Sequence, residues 1–252
     1  MKFTISPAPH IKSQQTTKKI MLSVFLALIP SGLWGVYKFG AHSGYVILTS
    51  VLSCVLFEFI SQKFIFKTKV KITDGSAALT GLLMAYCLPP DIVLWQVCIG
   101  SFFAIFIAKE CFGGIGFNIF NPALVGRIFI TIAFPVIMTT SLQEPFVTGL
   151  GGFVKYTSDA VTSATPLGIY KTAQTLTPYL DLLTGRTPGC LGETFRLGII
   201  LGGLFLMFTK VSNWRIPLSY LGSVLIFSWA GNLFFPGQIA PPLFQILTGG
   251  LL

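Results

Sequence analysis

Residues 20–37 read IMLSVFLALIPSGLWGVY, without one Asp, Glu, Lys, Arg or His, and are bracketed by Lys18-Lys19 and Lys38. About 20 apolar residues are needed to cross the roughly 30 Å hydrocarbon core of a bilayer, so this run is a first membrane span. A second follows over about Tyr45 to Phe66, with Glu58 its only acidic residue. A basic stretch at its end and beyond contains Lys63, Lys67, Lys69 and Lys71, which match the Lys12, Lys18 and Lys19 group before span one. Two crossings between two basic clusters put both clusters on the cytoplasmic side and the Lys38–Gly44 turn outside. The rest of the chain has the same character: of 252 residues 53% are hydrophobic and 10% charged, which excludes an ordinary soluble enzyme and makes the lipid bilayer the solvent.

The net charge of +9 does not point to nucleic acid, because the cations sit between apolar runs and so report topology. The Lys18-Lys19 start resembles a signal peptide, but further spans follow and an uncleaved first helix is the better reading. Gly75–Leu88 is too short to cross and ends at Pro89-Pro90, the pattern of a broken helix lining a protein-buried cavity. Span four covers about Ile92 to Ala108 and returns to Lys109. After the Gly-rich stretch Gly113–Asn118, span five runs over about Pro122 to Phe134.

From Pro135 to Glu193 the periodic apolar signal fades into Thr, Ser, Gly and Pro, which predicts one long extracytoplasmic loop. Spans six, about Thr194 to Phe208, and seven, about Ile216 to Phe234, enclose Lys210 and Arg215 on the inner side. Leu79-Thr80-Gly81-Leu82-Leu83 is echoed by Leu247-Thr248-Gly249-Gly250-Leu251-Leu252, starting from the opposite side of the membrane, as an inverted repeat predicts. The expected plan is a single membrane domain: a cytoplasmic leader over 1–19, a first repeat over 20–134, the outer loop over 135–193, and the start of a second repeat over 194–252, cut short by a few spans. The five cysteines, Cys54, Cys87, Cys98, Cys111 and Cys190, form no C-x-x-C pair and are read as packing residues.

The outer loop contains Asp159-Ala160-Val161-Thr162-Ser163-Ala164-Thr165-Pro166. On its own this is a polar turn. It also resembles the flavinylation motif shared by Rnf and Na+-pumping NADH:quinone reductase subunits, in which the last Thr carries FMN through a phosphoester. That resemblance implies Thr165 as the acceptor, with Asp159, Thr162, Ser163 and Ala164 completing the recognition sequence. Ser163 stands where the family often has Gly. A Thr hydroxyl displaces AMP from FAD when a separate flavin transferase and Mg2+ activate it, and Pro166 disfavours helix at Thr165, which presents it.

Other stretches resemble the same family in the same order. They are Ser6-Pro7 and His10, Ala27-Leu28 and Pro30, Asp74 to Gly81, the Gly113–Pro122 segment with Ile119 where Pro is common, and Gly192-Glu193-Thr194. The short leader before span one favours the D-type member of the Rnf complex over the quinone-reductase B-type member, whose leader is longer. The resemblance implies an all-α membrane bundle of two inverted five-helix repeats of the urea-transporter type, in a bacterial inner membrane. It also implies covalent FMN, a second noncovalent flavin (riboflavin) framed by the Asp74–Leu83 broken helix, and partner subunits of the A, B, C, E and G types. Such an assembly couples ferredoxin and NAD redox chemistry to Na+ or H+ transport. The chain itself has neither Cys-cluster spacing nor a G-x-G-x-x-G fingerprint within a βαβ unit, so iron–sulfur and nucleotide sites fall to partners. The alternatives are the B-type member of the quinone reductase and a urea-transporter-like channel without redox role, for which the Asp159–Thr165 motif has no use.

Glu58, Asp74, Glu110, Arg127 and Glu193 lie in or beside apolar segments, where ionisable groups face a cavity or a partner. Arg127 is the one suited to stabilise a reduced flavin or its phosphate. Structural ion pairing at helix ends is the alternative for each of the five.

Overall fold

The computed structural model describes residues 16–67, 70–140, 145, 165–193, 195–235 and 239–248, and among them every regular element is helical. Helix α1 (Thr17–Phe39) starts at Thr16, whose hydroxyl accepts from Lys19 N at 3.4 Å, and turns into α2 (Ala41–Ile60) at Gly40 alone. The expected turn of seven residues shrinks to one because Gly40 takes φ 90°, a left-handed region open to glycine without penalty. Helix α2 runs on through a π-helical turn over Ser61–Ile65.

The half-length helix is present: α3 (Ser76–Tyr86) has 11 residues, roughly 16 Å at the α-helical rise, and stops before Pro89-Pro90. It lies against α2 at Gly81, where Ser50 Oγ donates to Gly81 O at 2.7 Å and an added Cβ would sit 2.7 Å from Ser50 O. Small residues permit this backbone approach, the usual way helices associate in lipid. Helix α4 (Leu94–Phe102), extended by a π turn over Phe103–Ile107, packs along the other side of α2.

Helix α5 (Pro122–Ala133) begins with Asn121 capping Ala123 N and breaks at Phe134, because Pro135 lacks the N–H that would continue it. A short α6 (Pro135–Thr140) follows. The stretch expected as a plain loop carries α7 (Pro166–Ala173) and α8 (Tyr179–Thr184) as well. It then folds back into the bundle: Thr187, Cys190 and Leu191 are buried, and Leu191 N and Gly192 N donate to the free carbonyls of Leu88 and Tyr86 after the end of α3. Apolar periodicity could not show this, because the segment is held by backbone hydrogen bonds and small residues. Helices α9 (Arg196–Phe208), α10 (Arg215–Phe234) and α11 (Pro242–Thr248) complete the described chain.

Among the described residues four helices are long and apolar enough to cross a membrane: Thr17–Phe39, Ala41–Ile65, Leu94–Phe112 and Arg215–Phe234. Two expected spans are shorter than a crossing, α5 at 12 residues and α9 at 13. Helix α2 shows why the bilayer is the solvent. Leu48, Leu52 and Leu56 face outward, while Ser43, Ser50, Ser53, Cys54 and Glu58 are buried. Polar groups need protein partners in hydrocarbon, and leucine does not.

Candidate functional site

The C-terminal end of α2, the start of α3 and the segment that follows α4 bring together residues that lie up to 52 positions apart in sequence. Lys109 Nζ, 3% exposed, pairs with Glu58 Oε1 at 2.6 Å and donates to Ser76 Oγ, also at 2.6 Å. Ser76 passes the interaction on, its hydroxyl donating to Asp74 Oδ1 at 2.9 Å. On the other side Gln62 Nε2 donates to Glu58 Oε1 and to Glu110 Oε1, both at 3.2 Å, and Gln62 Oε1 accepts from Lys71 N at 2.8 Å. The result is one continuous chain, Asp74–Ser76–Lys109–Glu58–Gln62–Glu110, at the start of the broken helix. Gly75, at φ 77°, turns the backbone so that Asp74 caps Ser76 N at 3.0 Å just as α3 begins.

Within this ring Glu58 Oε2 is buried and has no hydrogen-bond partner. It borders a cavity of about 430 Å³ lined by Glu58, Gln62, Asp74 and Glu110 on one side and Phe66, Ile115 and Phe117 on the other. Glu58, Asp74 and Glu110 were legible as candidates. Lys109, Gln62 and Ser76 were not, because Lys109 reads as a topology-setting cation at a helix end and the other two are ordinary polar residues. The Glu58, Gln62 spacing of four was the one available signal.

Thr165 is the N-cap of α7. It is extended at φ −59° and ψ 153°, with its Oγ1 accepting from Gly168 N at 3.2 Å and Pro166 in the first helical position. Helix α7 is anchored by Tyr170, which packs with Leu182, Ala240 and Phe244. Asp159, Thr162, Ser163 and Ala164 lie outside the described residues. Arg127 is half-buried on α5, close enough that its charge and that of Glu193 both reach Cys87 and Cys190. Burial pushes both thiols above their ordinary pKa, with Arg127 pulling the other way. None of the five cysteines is in a disulfide, and among the described residues no group of His, Cys, Asp or Glu is arranged to hold a metal ion.

A helical membrane protein with a broken third helix, a buried charged network where that helix starts and a capped threonine belongs to the class of multi-span membrane proteins. Within that class the assignment is specific: residues 4–252 match the NQR2, RnfD, RnfE family, and the chain belongs to it. It is 42% identical to the D subunit of the proton-translocating ferredoxin:NAD(+) oxidoreductase complex of Clostridium ljungdahlii, covering 99% of this chain and 76% of that protein. It is 36% identical to the D subunit of the Na(+)-translocating ferredoxin:NAD(+) oxidoreductase complex of Acetobacterium woodii, over 100% and 74%. The D subunit of the ion-translocating oxidoreductase complex of Rhodobacter capsulatus is 38% identical, over 97% and 74%.

Proposed function

We propose that the chain is the D-type membrane component of an Rnf-type complex and carries FMN as a phosphoester on Thr165. In this role it passes electrons between ferredoxin-linked and NAD-linked partner subunits while the assembly moves Na+ or H+. The observation that carries the reading is family membership over residues 4–252, with relatives named as D-type members of ion-translocating complexes. The motif ending at Thr165 supplies the attachment point.

The residues present suit the group. A phosphoester on Oγ1 leaves that oxygen able to accept from Gly168 N, so attachment does not cost α7 its cap. The positive end of the helix dipole favours the phosphate charge that arrives with it. Bound there, the flavin supplies the redox chemistry; Thr165 fixes one end of it, and the Tyr170 cluster fixes the helix that carries Thr165. The basic groups at Lys18-Lys19, Lys63–Lys71 and Lys210–Arg215 support a cytoplasmic amino terminus and an outer Thr165 loop.

Intact mass and in-gel flavin fluorescence of the chain from its native host, beside Thr165→Ala, test the proposal. The expected result is an added FMN mass that the variant lacks. An unmodified native chain sinks the flavin assignment and promotes the channel reading.

A further inference from the structure

The Glu58 ring has more acceptors than it can serve. Most of its donors are committed: Lys109 gives two of its three N–H groups to Glu58 and Ser76, Gln62 both of its N–H groups to Glu58 and Glu110, and Ser76 its hydroxyl to Asp74. Three carboxylates share one buried ammonium, and Lys71, exposed at the mouth, offsets only one of the two surplus charges. Glu58, 1% exposed, is among the residues lining the cavity, and its Oε2 is buried with nothing to accept from. A buried unpaired carboxylate oxygen is costly, so the site calls for a donor, and the surplus charge calls for a positive one.

The opposite wall has a different deficit. The segment after Phe112 is irregular backbone, with Gly114 and Gly116 at φ 89° and 90°, and it exposes Phe117 at 73%, Ile119 at 70% and Phe120 at 62%. Hydrocarbon does not favour irregular backbone, and water does not favour such side chains; cover by protein satisfies both. A bare alkali ion with a few waters would answer the charge but leave the aromatic rim uncovered. A neutral ligand would cover the rim but leave the charge.

We propose that this acid-floored, aromatic-rimmed cavity is a docking socket for a cationic side chain, arginine or lysine, on an apolar segment of a partner subunit. The charge meets Glu58 Oε2 and Glu110, and the stem and neighbouring apolar residues lie against Phe66 and Phe117. This rests on the chain acting within a larger complex. Arginine suits the site especially, since its fork reaches two carboxylates at once and it is weakly hydrated.

The test uses the intact complex, purified through a tag on this chain, with p-benzoylphenylalanine replacing Phe117, alongside the double variant Glu110→Gln, Asp74→Asn. The expected results are a photo-cross-link to a partner peptide containing an arginine or lysine, and release of that partner at lower salt from the double variant. Cross-links confined to lipid or to the chain itself, with wild-type salt tolerance in the double variant, overturn the proposal. So does a variant complex that holds together but has lost a noncovalent flavin or the cation dependence of turnover, since the occupant is then a small molecule or ion. Covalent flavin on Thr165 is read on the same sample: its absence beside a positive cross-link defeats the flavin proposal alone.

Discussion

The two ends of the molecule that carry chemistry were unequally visible. The motif ending at Thr165 is contiguous, so a resemblance finds it at once, yet the structure adds only a cap and an anchoring cluster around it. The Glu58 ring has no linear signature, yet it is the most densely bonded polar site among the described residues, with six side chains from four segments in one hydrogen-bonded chain. The difference follows from what each site must do. A modification site is gripped by a second enzyme as an extended peptide, so its determinants are local. A buried charge must be compensated in three dimensions, and its partners come from wherever the bundle brings them.

Breaking the ring gives the largest expected effect. Lys109→Met leaves Glu58 buried without its counter-ion, and removing one partner of such a pair costs roughly 3–5 kcal/mol. Thermal unfolding of the detergent-purified protein should show a large fall in midpoint. Adding Glu58→Gln should recover most of it, because the stranded charge is then gone. If Lys109→Met unfolds close to wild type, the ring is a set of weak contacts and the contrast between the two ends dissolves.

How far the sequence could be read follows the same line. Spans one, two, four and seven and the broken helix were legible because lipid demands long apolar runs and Pro89-Pro90 ends one early. The return of Thr187–Gly192 onto α3 was not legible. Its hold is two backbone N–H groups meeting the carbonyls of Tyr86 and Leu88, and any residue but proline supplies an N–H. Lys109 misleads for a related reason: a lysine after an apolar run ordinarily marks the membrane surface, and only the position of Glu58 on a different helix draws it inside. Cys54 and Cys190 are buried, in keeping with packing residues, while Cys111 is exposed.

The middle-sized effect sharpens the contrast from the Thr165 side. Thr165→Ala removes a helix N-cap, worth about 1 kcal/mol, in addition to any flavin attachment. Thr165→Ser keeps a capping hydroxyl. Amide exchange in α7 should therefore speed up in the Ala variant and stay near wild type in the Ser variant, whatever the flavin content of either. Equal protection in all three proteins would show that the Tyr170 cluster alone holds α7 and that the cap contributes nothing.

The smallest effect weighs burial of a carboxyl against a nearby charge. Asp91, in the turn after Pro89-Pro90, is half-buried, and burial raises its carboxyl pKa, with the nearby His42 opposing the rise. Glu58 has an ammonium held against it at 2.6 Å, whereas the group that opposes burial at Asp91 is an imidazole. A folded-state pKa above the unfolded value means that the ionised form weakens the fold, so its cost is full at neutral pH. As pH falls through the folded value the carboxyl protonates and the cost shrinks, and it is gone below about pH 4, where Asp is protonated in the unfolded chain too. Asp91→Asn should then unfold slightly later than wild type at pH 7 and together with it near pH 4. A variant less stable than wild type at pH 7 would mean that His42 compensates Asp91 more fully than burial penalises it.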